Sequence, residues 1–169
     1  MNHEKFLKPV SKSIKINAVP QLVWEVISKP NNLELYHPFC ESNPAENWPG
    51  SKSIDYVNYY NGLKLKRIFT DWIEGQGYDL LIGEENGKKS KVIWRISTTD
   101  NISSDLKITI YPYDISKNPK SVKLFLYIIY IKPMLNKYLT SVLKGFQTYI
   151  IHGKPIRKNQ FGTHKWFSN

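Results

Sequence analysis

The segment MLNKYLTSVLKGFQTYIIHG, Met134 to Gly153, sets Leu135, Leu139, Val142, Phe146 and Ile150 at helical spacing. It predicts a long helix whose apolar stripe must be covered by another apolar surface, with Gly153 as a left-handed stop. What the rest of the chain offers that stripe decides the fold.

Most of what precedes it reads as strand. Ser13–Asn17 (SIKIN) alternates apolar and polar residues. SIDYVNYYNG runs into LKLKRIFTDWI across Asn61-Gly62, and YDLLIG and SKVIWRIS flank EENGKK with its Asn86-Gly87. Asn-Gly between alternating segments is a strong hairpin signal. In LKITIYPYD, Leu106, Ile108 and Ile110 share one side, so an antiparallel meander with one packed face is expected. Two short helices follow the first strand. In AVPQLVWEVISKP, Pro20 suits a first turn; Val19, Val23, Trp24, Val26 and Ile27 form an apolar face, and Pro30 ends it. In NNLELYHPFC, Asn31 or Asn32 is the expected N-cap, and Pro38 pushes His37 out of helical geometry. SVKLFLYIIYI, residues 121–131, fits a strand or a buried helix.

The fold class is therefore α+β, and the sheet is the extensive partner for the terminal helix. One helix on the concave side of a small sheet cannot close tightly everywhere, which leaves an apolar cavity with a few inward polar groups. The 169 residues suit one domain that buries roughly two-thirds of its unfolded surface. We assign residues 1–153 to it and 154–169 to a basic, aromatic tail packed against it.

The 24 Lys and Arg against 14 Asp and Glu are unevenly placed. All the acids fall before residue 115, whereas residues 115–169 carry ten Lys and Arg, Lys117 among them. That asymmetry suits a solvated face, an anionic membrane or an acidic ligand. The tail interleaves its charges with Phe161, Trp166 and Phe167, but no nucleic-acid motif accompanies them, and no nucleic-acid partner is expected. The N-terminal MNHEKFLKPVSKS lacks the apolar core of a secretory signal, and a single cysteine excludes an internal disulfide. A cytoplasmic location is the expectation.

INAVPQLVWEVISKPNNLELYHPF, the Trp-Pro-Gly at 48–50, NGLKLKRIFTDWIEGQGYDL and the terminal helix with its tail resemble the SRPBCC superfamily. That superfamily includes the START, Bet v 1-like and polyketide cyclase/dehydrase proteins. YHPFC and the tail are most similar to a bacterial subgroup. The resemblance covers nearly the whole chain and implies a helix-grip fold, a curved antiparallel sheet around a long C-terminal helix with a deep apolar pocket between them. It implies no particular reaction.

Several residues are candidates for that pocket. On the strand Leu63–Ile73, one face carries Leu63, Leu65, Arg67, Phe69, Asp71 and Ile73. If that face points inward, Arg67 offers a fork to an anionic oxygen, and a desolvated Asp71 offers an acid or base. The alternatives are an inward Arg paired with an acid on a neighbouring strand, or the opposite register. Tyr56, Tyr60, Trp94, Tyr111, Tyr138, Phe146 and Tyr149 are candidate walls or core, with Trp94, Tyr138, Val142 and Phe146 favoured. In the helix-grip fold the loop after the second short helix borders the cavity mouth, which adds Tyr36 and His37. His37 and Cys40 form one close pair with no second, so neither a metal nor a cofactor is expected; no orienting acid is evident for a nucleophile, and Cys40 reads as packing.

The functional expectation is binding, and transport as an extension of it, of a mid-sized hydrophobic molecule or lipid. The alternatives are a cofactor-free cyclase/dehydratase using Arg67, Asp71 and tyrosines, and a lipid carrier docking on anionic membrane through its basic C-terminal third.

Overall fold

The computed structural model describes residues 6–114, 116 and 118–168; His3 and Lys117 lie outside them. The strand signals resolve into β1 (Val10–Ile16), β2 (Cys40–Ser42), β3 (Ala45–Asn47), β4 (Ile54–Tyr59), β5 (Lys64–Ile73), β6 (Gly77–Gly83), β7 (Ser90–Asp100) and β8 (Ser103–Tyr111). They form one antiparallel sheet in the order β1-β8-β7-β6-β5-β4-β2, with β3 also on β4. Asn61-Gly62 makes the turn between β4 and β5 with Gly62 at φ 85°, and the Asn86-Gly87 turn joins β6 to β7.

Between β1 and β2 lie α1 (Pro20–Ile27) and α2 (Leu33–Tyr36). Pro20 opens α1 and Val23, Trp24, Val26 and Ile27 are its buried face. At α2 the N-cap falls on Asn32, one of the two residues expected. Asn32 occupies the N-cap position without a capping bond; its amide instead donates to the carbonyls of Ile27 and Lys29, both at 2.7 Å. Asn31 takes the left-handed conformation, φ 58°, that lets the chain turn between the helices. Pro38 ends α2 as expected, with His37 extended at φ −94° and ψ 109°.

Residues 120–152 are helical throughout: α3 (Lys120–Leu126), a π-helical turn (Tyr127–Ile131) and α4 (Lys132–His152). The open alternative for residues 121–131 thus resolves to helix. The π turn sits just before Pro133, which has no N–H to return to Ile129. Only Tyr127 of this stretch is buried, so it is not the buried helix of that alternative; Phe125, Ile128 and Ile129 are more than half exposed. In α4, Leu135, Leu139, Val142 and Phe146 are buried and Ile150 is half-buried. Gly153 ends it at φ 64°. Gly145 sets how closely α4 approaches α2, because a Cβ there would stand 2.1 Å from the Tyr36 carbonyl oxygen.

Candidate functional site

Between the sheet and the first half of α4 lies a cavity of about 450 Å³. Leu80, Ile82 and Val92 form its floor, Leu135, Leu139 and Val142 its roof, and the turn Gly83–Ser90 its rim. Two polar groups interrupt this apolar lining in the interior.

The first is Arg67. Strand alternation places Asp55, Val57 and Tyr59 of β4 on the inner face, and register sets Asp55 directly opposite Arg67. Both side chains are buried. The guanidinium donates from Nε to Asp55 Oδ1 at 2.7 Å and from Nη2 to Oδ2, a bidentate pair. Burial alone would lower the arginine's pKa, but the Asp55 carboxylate outweighs it and holds the group charged. The expected alternative of an inward Arg paired with a neighbouring-strand acid is therefore the one observed.

The second is a chain of three side chains. His37, held extended by Pro38, accepts the Phe39 N–H on Nδ1 at 3.2 Å. Its proton must then be on Nε2, which lies 2.9 Å from Tyr138 Oη and donates to it. Tyr138 Oη is 3.2 Å from Tyr59 Oη. Desolvation, with Arg67 adding to it, lowers the pKa of His37 to about 3, so the ring is neutral. Burial likewise raises Tyr138 to about 12 and Tyr59 well above an ordinary phenol, so both hydroxyls keep their protons. The tail closes this end. Phe167 stacks on Tyr59 with ring centres 4.6 Å apart, and buried His164 stacks on Phe167 at 5.1 Å. His164 accepts the Trp166 N–H on Nδ1 and donates from Nε2 to the Met134 carbonyl.

Of the residues singled out in the sequence, His37, Arg67, Trp94, Tyr138 and Val142 line the cavity. Tyr36, Phe69 and Phe146 are buried beside it in the core. Tyr36 donates to Asn32 Oδ1 at 2.8 Å and packs edge-on against Phe146, while Phe69 joins Trp48, Trp72 and Tyr78 in an aromatic cluster. Asp71 is at the surface. The inward face expected for it fails because a bulge after Phe69 inserts one residue into β5, turning Asp71 outward and Trp72 toward Trp24 and Tyr78. Tyr56, Tyr60, Tyr111 and Tyr149 do not line the cavity. Tyr59 and Phe167 do, and sequence reasoning missed both. The alternation Asp55, Val57, Tyr59 carried the signal for Tyr59; nothing local carried it for Phe167. Cys40 and His37 serve different partners: the thiol, which burial pushes up to about 12, donates to the Ser42 carbonyl. Among the described residues, no group of three or more His, Cys, Asp and Glu is arranged to hold a metal ion.

No family model matches the sequence, and no curated protein does. Solved structures do. A START superfamily protein from Mycobacterium smegmatis aligns with a TM-score of 0.66 at 12% identity over 86% of this chain and 99% of its own. Norcoclaurine synthase from Thalictrum flavum, solved with dopamine and hydroxybenzaldehyde, gives 0.61 at 16% over 87% and 88%. XoxI from Bacillus cereus gives 0.62 at 14% over 86% and 97%. These identities speak to architecture alone. The sheet, the long terminal helix and the cavity between them make this chain a helix-grip fold of the START and Bet v 1-like kind.

Proposed function

We propose that the protein binds, and as a carrier transports, a mid-sized and largely apolar small molecule in the cavity between sheet and α4. The observation that carries this is the cavity itself, about 450 Å³ with an apolar lining and one interior cluster of polar groups. Binding is favoured over acid–base catalysis by the state of the candidate bases. Asp71 is outside, His37 Nδ1 already accepts a backbone N–H, and the one carboxylate lining the cavity, Glu84, is exposed on the rim turn. A single buried cysteine supports a reducing, cytoplasmic setting. Native mass spectrometry of protein purified gently from its own host should show an added small-molecule mass that organic extraction removes. A bare mass, together with failure to take up apolar dyes, would overturn the reading.

A second reading, docking on an anionic membrane, has its own observation. Val122, Phe125, Leu126, Ile128 and Ile129 are exposed along α3 and the π turn, with the exposed Lys120 and Lys132 at either end. An exposed apolar ridge flanked by cations, in an acid-free stretch of chain, suits the interface of an anionic bilayer. Among the described residues no helix is long and apolar enough to cross one. Phe125→Ser with Ile129→Ser should abolish sedimentation with phosphatidylserine vesicles, and raised salt should weaken it; equal sedimentation by the variant would remove this reading.

A further inference from the structure

Counting hydrogens at the interior polar groups narrows the ligand, on the premise that the cavity binds one. In the chain His37–Tyr138–Tyr59 the tautomer is fixed, because Nδ1 accepts the Phe39 N–H and only Nε2–H remains to donate. The chain holds three hydrogens, on Nε2 and the two hydroxyls. It offers two acceptors, Tyr138 Oη and Tyr59 Oη, and no further hydrogen-bond partner of either hydroxyl is present among the described residues. Nε2–H takes Tyr138 Oη and one tyrosine donates to the other, so one hydroxyl hydrogen is left over. Tyr59, Tyr138 and His37 all line the cavity, so the surplus hydrogen belongs to a residue of its wall.

Arg67 lines the same cavity but brings it no uncompensated charge. Asp55 neutralises it and takes Nε and Nη2. The Arg67–Asp55 pair therefore leaves no net charge for an anion to neutralise, and the tyrosine chain keeps one hydrogen that no protein group accepts. A ligand acceptor that takes this hydrogen recovers the cost of leaving a buried donor unmet, which a hydrocarbon cannot do.

We propose that the ligand is a neutral, largely apolar molecule with an acceptor oxygen, a ketone or ester carbonyl, which takes the surplus hydrogen of the Tyr59–Tyr138 pair. In this reading a neutral acceptor replaces the anionic end expected near Arg67, whose charge Asp55 already compensates. The tyrosines are binding groups here, and no bond is made or broken.

The test uses two probes of matched shape, 2-acetylnaphthalene and 2-ethylnaphthalene, on the full chain. The ratio of their affinities, ketone over hydrocarbon, is expected to be about tenfold higher in the wild type than in the Tyr59→Phe/Tyr138→Phe double variant, from calorimetric Kd values. The carbonyl stretch of the bound ketone in the wild type, which needs no variant to fold, should fall below its frequency in hexane. A hexane-like stretch, or an unchanged affinity ratio, overturns the acceptor assignment and leaves the cavity as a binding site. Failure of both probes to bind overturns the binding reading along with it.

Discussion

Arg67 and the His37–Tyr138–Tyr59 chain line the same cavity, yet their hydrogen bonding is completed differently. Arg67 is the more conspicuous, a buried charge on an inward strand face, and Asp55 across the strand pair binds it in two places. The other chain is neutral throughout and ends in a hydrogen that no protein group accepts. A buried charge must be compensated before the protein can fold, so its partner is built into the sheet. A buried neutral hydroxyl left open costs about 1–3 kcal/mol, well below the cost of an uncompensated charge, and a ligand that meets it recovers that cost. Function at this cavity is therefore sought at the weaker polar group.

Breaking the closed pair should give the largest effect. Asp55→Asn keeps the shape of the side chain but leaves the Arg67 guanidinium charged and buried, which costs about 3–5 kcal/mol. For a chain of this size that lowers Tm by roughly 10 °C. Denaturant titration checks it; a loss below about 1 kcal/mol would show the two groups are not the closed pair described.

The legible and illegible parts of the sequence divide along similar lines. Period-2 and period-3.6 patterns locate β1, β4 to β8, α1 and α4, because each pattern reports one face of one element against the core; α2 is legible from its Asn and Pro boundaries, and the three-residue β2 and β3 are too short to show a pattern. They also locate Trp94, Tyr138 and Val142 on the inner faces of their elements, whereas His37 is placed at the cavity by the resemblance to the helix-grip fold. Asp71 was misplaced because a bulge shifts the faces of β5 by one residue, and a single inserted residue leaves no trace in an alternation already blurred by Ile68 and Trp72. Phe146 reads as a cavity wall because periodicity distinguishes inward from outward but not a filled interior from an empty one, and Tyr36 does so only through the loop position that the resemblance implies. Phe167 was invisible for a different reason: its position depends on the tail returning 108 residues later to stack on Tyr59.

The open chain makes its own mark on pH dependence. The His37 pKa falls from 6.5 to about 3 on folding, so as pH drops the unfolded chain takes up the proton first. Its contribution to stability is complete above pH 6.5 and is lost progressively as pH falls toward 3, with a slope of at most about 1.4 kcal/mol per pH unit. His164, lowered by burial as well, acts in the same direction. Asp79 and Asp100, whose pKa values are held below the ordinary carboxylate value, lose their contributions at lower pH, so the window from 6.5 to 4.5 belongs mainly to the histidines. His37→Asn keeps an acceptor for the Phe39 N–H and does not titrate, and although its shorter amide gives up the bond to Tyr138 it should flatten the slope measured by denaturant titration across that window. An unchanged slope would mean that His37 is not held neutral.

The smallest effect separates the two tyrosines from each other. Tyr138 is the middle link, and Tyr138→Phe strips the acceptor from a buried His37 Nε2–H, which costs about 1–3 kcal/mol. Tyr59 is the end link. Tyr59→Phe removes one hydrogen and one acceptor together, so the surplus only moves to Tyr138 and the count of unmet donors is unchanged. Its cost should stay below about 1 kcal/mol, the scale of one ordinary hydrogen bond. If Tyr59→Phe proved the costlier, the surplus hydrogen would not lie at the Tyr59 end, and Tyr59 would already be donating to a partner inside the fold. Equal costs would mean that the hydroxyls behave as one closed pair. Either outcome would erase the distinction between the closed and the open polar group, whereas the expected order marks Tyr138 as the link on which His37 depends and leaves one hydroxyl hydrogen of the pair unmet.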